Sequence, residues 1–166
     1  MTLATATPDG APSARVVLLK GFSMDGFVFY TNLTSRKGEE LKQNPQAALC
    51  FYWMPLERQI RIEGMVTPVS AAEADDYFAS RPRDRQIGAW ASLQSQPLRD
   101  RQELEARVAE LELQYANKEV PRPPHWSGWR LVPKSIEFWH QNWARLHERE
   151  LYTRDDSGWV QTLVYP

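Results

Sequence analysis

Residues 30–41 read YTNLTSRKGEEL, and the way this stretch folds decides the class of the chain. Tyr30 and Thr31 suit the end of a strand, Asn32 to Ser35 carry turn chemistry, and the residues from Ser35 to Asn44 suit a helix. Together with the strands at both ends of the chain, this strand, short turn and helix mark an α+β domain. Arg36 and Lys37 then stand in the first helical turn, where free N–H groups and the positive end of the helix dipole favour negative charge. Two cations there cost roughly a few tenths of a kcal/mol each. Either both side chains reach into water, or an external anion such as a phosphate is held by the helix N-terminus and the two side chains together.

Outward from this stretch, turn signals at Asp9-Gly10 and Asp25-Gly26 separate three runs that suit strands, Leu3 to Thr7, Ala14 to Gly21 and Phe27 to Thr31. An antiparallel meander is expected. AALCFYW (47–53) and RQIRIEGMVTPV (58–69) add two strands, the second alternating polar Gln59, Arg61 and Glu63 with apolar Ile60 and Ile62. Ser70 and Glu73 form a capping box that opens a short helix, which closes before Pro82. A longer helix follows Asp100, with Leu104, Val108, Leu111 and Tyr115 at helical spacing and Glu103 placed to pair with Arg107. NKEVPRPPHWSG is a proline-rich connection too short to divide domains. Strands return at WRLVP, SIEFW, ARLHERELY and WVQTLVY, with a hairpin turn at Asp156, Ser157 and Gly158. Residues 1–166 are therefore expected to form one domain, a barrel or sandwich with helices, and no repeat interrupts it.

Composition narrows the function classes. Twenty Lys and Arg against 21 Asp and Glu give a net charge of −1, which offers no global attraction to nucleic acid or an anionic membrane. Any anion site must be local. The single Cys50 lies in an apolar run and has no partner for an internal disulfide, which points to a reducing compartment. No uninterrupted apolar stretch reaches spanning length and the N-terminus is not signal-like, so a cytoplasmic protein is expected. The nucleotide-binding glycine motifs, HExxH and paired CxxC are missing, and His125, His140 and His147 form no recognisable metal set, so no metal is expected.

Three constellations carry possible chemistry. In ARLHERELY, strand alternation places Arg145, His147 and Arg149 on one face and Leu146 and Glu148 on the other. A histidine between two arginines has its charged form disfavoured, which keeps it available near neutral pH for hydrogen bonding or proton transfer, whereas the same row is also consistent with a solvated sheet face. Tyr77 and Arg81, four apart, share a helix face that suits either a phosphate or surface packing. ARVVLLK carries Arg15 and Lys20 at its ends, on opposite faces of a regular strand; they can share a ligand only if the strand bulges or Lys20 leaves the ladder.

Taken together, RVVLLK, FYTNLTSRKGEEL, SRPRDRQIGAWASLQS, VPRPPHW and IEFWHQNWARLHER resemble the pyridoxamine/pyridoxine 5′-phosphate oxidase family, with the motifs in family order from about Leu3 to the terminal LVYP. The resemblance implies an FMN-binding split β-barrel, mainly antiparallel, with a few peripheral helices, working as a homodimer with flavin sites at the subunit interface. It carries Arg15, Val16, Val17 and Leu18 over as FMN contacts, with Tyr30 and Thr31 beside them, and Arg36 and Lys37 as holders of the FMN phosphate. Gln59, Gln94, Ser95, Trp139 and Arg149 match further flavin positions. Lys20, Tyr77 and Arg81 match the site of the substrate phosphate, and Arg145 and His147 match catalytic residues over the pyridine ring, His147 as a proton acceptor.

The implied reaction oxidises C4′ of pyridoxamine or pyridoxine 5′-phosphate to the aldehyde of pyridoxal 5′-phosphate, passing hydride to FMN, which dioxygen reoxidises with release of hydrogen peroxide. Two other readings stay open: a related flavin oxidase with another substrate, such as those of phenazine assembly, and a flavin- or pyridoxal-phosphate-binding protein with low turnover. Three departures mark this chain. Arg85 stands where the family usually has a small hydroxyl residue, Gln141 stands where it commonly has a glycine with bulky Trp143 nearby, and family members usually begin well before this Met1.

Overall fold

The computed structural model describes residues 1–166, which fall into two compact units. One comprises Met1–Phe29, Glu40–Thr67 and Arg130–Pro166; the other comprises Tyr30–Glu39 and Pro68–Trp129.

The first unit is built on an antiparallel sheet. The strands of the chain are β1 (Thr2–Ala6), β2 (Pro12–Val16), β3 (Gly21–Ser23), β4 (Gly26–Asn32), β5 (Gln46–Trp53), β6 (Arg58–Pro68), β7 (Trp126–His140), β8 (Glu148–Asp155) and β9 (Gly158–Leu163), of which residues 30–32, 68 and 126–129 fall in the second unit. The order is β2-β1-β5-β6-β7-β4-β3, and β8 joins β7 and carries β9. β7 has room for this branch because it is 15 residues long, and residues Ser135 to His140 alone pair with β8. The alternation read from β6 is kept: Ile62 and Val66 are buried while Arg61, Glu63 and Met65 are exposed. Those two join Leu3, Phe29, Leu49 and Leu131 in the core, each side chain contributing about 1.5–3 kcal/mol by burial.

The second unit holds α2 (Ala71–Ala79), α3 (Arg83–Ala91) and α4 (Arg101–Gln114). Ser70 and Asp100 cap α2 and α4, each accepting from a backbone N–H three residues on. Phe78, Ile87, Val120 and Trp126 form the core of this unit, with Val108, Leu111 and Tyr115 of the spaced apolar row packed against it. Arg107 donates to the Ala91 carbonyl (2.8 Å), and the i,i+4 pair on α4 is Arg101–Glu105.

The helix α1 (Arg36–Gln43) follows β4 through a turn closed by Asn32, whose Oδ1 accepts from the Thr34 N–H and hydroxyl. Gly38 makes this tight entry possible, since a Cβ there would lie 2.4 Å from the Leu33 carbonyl oxygen. No helix is long and apolar enough to cross a membrane.

Four local expectations are corrected. The strand drawn from Ala14 to Gly21 ends at Val16, the last residue paired with β1, and Lys20 leaves that ladder to donate its N–H to the Val28 carbonyl. WRLVP and SIEFW are one strand, β7, running through Pro133. Helix α3 lies within a stretch read only as a motif. ARLHERELY is not a strand from its start: Trp143–Arg145 form a short 3₁₀ turn with Ala144 and Arg145 at φ +55° and +62°. Left-handed backbone at two non-glycine residues breaks the two-residue period before β8 begins.

Candidate active site

Five of the residues expected to bind a cofactor converge in the second unit around the first turn of α1. Ser35, fully buried, donates to the Asn32 carbonyl (2.6 Å) and accepts from the Gly38 N–H, so its hydroxyl caps the helix. Lys37 Nζ donates to Ser35 Oγ (3.3 Å) and Gln94 Oε1 (3.2 Å). Thr31 Oγ1 reaches the same Gln94 oxygen (3.5 Å), and the Arg36 backbone N–H meets Ser95 Oγ (3.2 Å). Ser95 is held at φ +73°, a conformation that side chains adopt sparingly and that tends to accompany function. The Lys37 ammonium in the first turn and the Ser95 hydroxyl, which accepts from the Arg36 N–H and keeps its own proton to donate, make a donor set suited to a phosphate.

A second group in the same unit stands on an aromatic stack. Tyr77 lies on Tyr30 with ring centroids 4.1 Å apart, and Tyr30 lies on Trp126 at 5.1 Å. Gly128 admits the stack, because a Cβ there would meet the Tyr30 ring at 2.8 Å. The Arg81 guanidinium sits over Trp126 at 4.8 Å and Phe78 at 5.5 Å. Its Nη1 is buried without a hydrogen-bond partner. Burial pushes the Arg81 pKa down; Tyr77 opposes this and nearby Arg85 adds to it. A buried donor left unpaired costs about 1–3 kcal/mol, and an oxyanion would relieve it. Tyr77 and Arg81 are thus brought together as their spacing suggested. Trp126, the platform under both, was not singled out, and nothing but its place in VPRPPHW pointed to it.

The first unit carries the other expected residues. On β2, Arg15 turns inward: its guanidinium donates to Thr5 Oγ1, Ser13 Oγ and the Leu3 carbonyl and pairs with Glu40 Oε2 at 3.4 Å. Glu40, 5% exposed, also accepts from the Thr5 and Ser13 hydroxyls. Val16 (76%) and Leu18 (61%) are exposed apolar surface. Gln59 and Trp139 line one cleft of about 560 Å³ together with Trp53, Phe138 and Tyr152.

Trp139 and Arg149 are direct cross-strand partners, and the His147 ring lies 4.7 Å from that of Trp139. The expected row of three basic groups on one face does not form, because Arg145 belongs to the turn and Arg149 is paired with Glu137 through two hydrogen bonds of 2.9 and 3.1 Å. That pairing, outweighing the opposing effect of burial and aided by Arg61, holds the Glu137 carboxyl below its ordinary value. The Asn142 N–H donates to His147 Nδ1 (3.2 Å), so a neutral ring in this arrangement carries its proton on Nε2 and offers a donor rather than an acceptor there. Gln141 has a structural use of its own: its backbone N–H donates to the Glu57 carbonyl (2.9 Å) and its side chain to Glu57 Oε1 (3.1 Å). No group of three or more His, Cys, Asp or Glu side chains is placed to hold a metal ion.

Against known proteins, residues 1–115 match the family model described as pyridoxamine 5′-phosphate oxidase, and residues 126–166 match the pyridoxine 5′-phosphate oxidase C-terminal dimerisation region. A pyridoxine/pyridoxamine 5′-phosphate oxidase of Myxococcus xanthus is 63% identical over all of this chain and 81% of its own length. One from Sphingopyxis alaskensis is 61% identical over all of this chain and 77% of its own. Among solved structures, PhzG from Burkholderia lata, in complex with tetrahydrophenazine-1-carboxylic acid, is 39% identical with a TM-score of 0.94, covering 99% of this chain and 81% of that one. A pyridoxamine 5′-phosphate oxidase-related, FMN-binding protein from Nostoc punctiforme shares the fold at a TM-score of 0.77 and 20% identity, over 99% of this chain and 87% of that one.

Proposed function

This chain belongs to the pyridoxamine 5′-phosphate oxidase family, and from that premise we propose how its own residues serve the reaction. It is an oxidoreductase that oxidises pyridoxamine or pyridoxine 5′-phosphate to pyridoxal 5′-phosphate with a flavin. The flavin is FMN, and the observation that carries this is the phosphate-suited donor set at the first turn of α1. FMN held there would supply a hydride acceptor that dioxygen can reoxidise, with hydrogen peroxide as the reduced product.

Arg36 and Lys37 hold the FMN phosphate, with the Ser95 hydroxyl set on the Arg36 backbone N–H, the Gln94 amide oxygen orienting the Lys37 ammonium and Thr31 supporting Gln94. Arg15, Val16, Val17, Leu18, Tyr30, Gln59, Trp139 and Arg149 are assigned to the flavin. Tyr77 and Arg81 take the substrate phosphate, the buried Nη1 of Arg81 gaining the partner it otherwise lacks, and Lys20 is assigned to the same phosphate. Arg145 and His147 orient the pyridine ring, His147 through the Nε2–H that the Asn142 contact leaves as donor. The match of residues 126–166 to a dimerisation region supports a homodimer, and the flavin sites are assigned to its interface. Residues 1–166 act as one functional domain, and the lone Cys50 accords with a reducing, cytoplasmic setting.

The similarity to PhzG favours a second reading, a related flavin oxidase with another substrate. The 63% identity to a pyridoxine/pyridoxamine 5′-phosphate oxidase outweighs it. Phosphate dependence tests the assignment at both ends. FMN is expected to bind at least 100-fold more tightly than riboflavin, with Lys37→Met narrowing that gap, and pyridoxamine 5′-phosphate is expected to be oxidised with peroxide release while pyridoxamine is not. Equal binding of the two flavins, or no peroxide, would refute it.

A further inference from the structure

We infer that Glu137 is a positioning residue for Arg149, one that fixes the guanidinium as a directional donor toward the flavin; the inference rests on the assignment of Arg149 to that cofactor. Glu137 lies on β7, only 6% exposed, where a carboxylate persists only if it is paired. Two residues on, Trp139 stands directly across from Arg149 on β8, so Glu137, Trp139 and Arg149 share a sheet face. Nε and Nη2 of Arg149 form a fork onto Oε1 and Oε2 of Glu137 at 2.9 and 3.1 Å, a geometry that removes the rotational freedom of the side chain.

A third contact, from Arg149 Nη1 to the Tyr165 carbonyl at 2.8 Å, holds the other arm. The Val164 N–H donates back to the Arg149 carbonyl at 3.0 Å. Of the five N–H donors of a guanidinium, three are thereby engaged and two remain for a ligand. Arg61 approaches the same carboxylate at 3.7 Å but is 45% exposed and also contacts Glu63 at 3.1 Å. Because Glu137 offsets the charge of Arg149, what it leaves at this position is direction rather than cationic attraction. Nothing about Glu137 suggested this in the sequence, since the pair is made across two strands.

A purely structural ion pair closing β7 on β8 would show the same contacts, so the test needs a readout that such a role would not move. FMN is titrated into apoprotein of the wild type, Glu137→Gln, Arg149→Lys and the double variant, with flavin fluorescence reporting the dissociation constant and thermal unfolding followed separately. The expected result is a rise of about tenfold for Glu137→Gln, a comparable rise for Arg149→Lys, and no further rise in the double variant. Glu137→Asp, which keeps the charge but shortens the reach, is expected to give a smaller rise and serves as the second variant should Glu137→Gln fold poorly. FMN affinity within twofold of wild type in both Glu137 variants, whatever their melting temperatures, would overturn the inference. So would a Glu137→Gln effect of equal size with and without Arg149. Failure of the wild type itself to take up FMN would bring down the flavin assignment and this inference together.

Discussion

The two units treat the cations of the candidate site in opposite ways, although the helical unit also holds ion pairs elsewhere, such as Arg122–Asp75. In the sheet unit Arg15 and Arg149 each rest on a buried carboxylate, Glu40 and Glu137. In the helical unit Arg81 lies on aromatic faces with Nη1 buried and unpartnered, while Lys37 Nζ is held by hydroxyl and amide oxygens. An arginine already neutralised by its own chain acts through hydrogen-bond geometry. One whose buried Nη1 has no hydrogen-bond partner stores an unmet demand for an anion. On the proposed assignment, the contrast separates residues that shape a site from residues that recognise phosphate.

The largest expected effect falls on Arg81. Arg81→Met should raise KM for pyridoxamine 5′-phosphate about 100-fold, or about 2.8 kcal/mol, while leaving the ligand-free protein as stable as before or more so. Steady-state kinetics with urea unfolding checks both halves, and a destabilised apoprotein with unchanged KM would break the contrast. Next is Glu137→Ala, which leaves Arg149 without its counter-charge. Because Arg149 is 24% exposed, the loss should be about 2 kcal/mol, below that of a fully buried pair; a change within experimental error in urea would contradict it.

The same pair sharpens the comparison through pH. Glu137 has its carboxyl pKa lowered from 4.5 in the folded chain, chiefly by Arg149, so the folded state binds fewer protons than the unfolded state in the acid range. Its contribution to stability is fully present above 4.5 and is lost as pH falls through the lower folded-state value. The stability gap between wild type and Glu137→Gln should therefore narrow on acidification, as denaturation at a series of pH values would show; a widening gap would have the wrong sign. Smallest is Gln141→Ala, which removes one exposed side-chain bond to Glu57. It should cost about 0.5 kcal/mol but alter kcat by freeing the turn that carries Arg145.

What was legible in the sequence was whatever a local rule dictates. The β6 alternation placed Ile62 inside and Arg61 outside, the capping box from Ser70 announced α2, and the spaced apolar row after Asp100 announced α4. The odd cations at Arg36 and Lys37 pointed to the turn where Gln94 and Ser95 now converge. Backbone departures were not legible: nothing in the residue types of Ala144 and Arg145 signals positive φ, and Arg-Val-Val-Leu-Leu does not say that the strand ends at Val16. Helix α3 was hidden because Pro82 and Gly88 mask a short helical run whose inward residues are only Ile87 and Ala91. The carboxylates under Arg15 and Arg149 depend on register between distant strands and helices, which no spacing encodes.

The central claim is that this chain oxidises a phosphorylated B6 vitamer with a bound flavin. Its most direct test is to load the protein with FMN, remove oxygen, add pyridoxamine 5′-phosphate and follow the flavin absorbance. Bleaching, with one pyridoxal 5′-phosphate formed per flavin and recovery of the absorbance on admitting air, is the predicted result. Flavin that stays bound and oxidised in the presence of saturating substrate would contradict it.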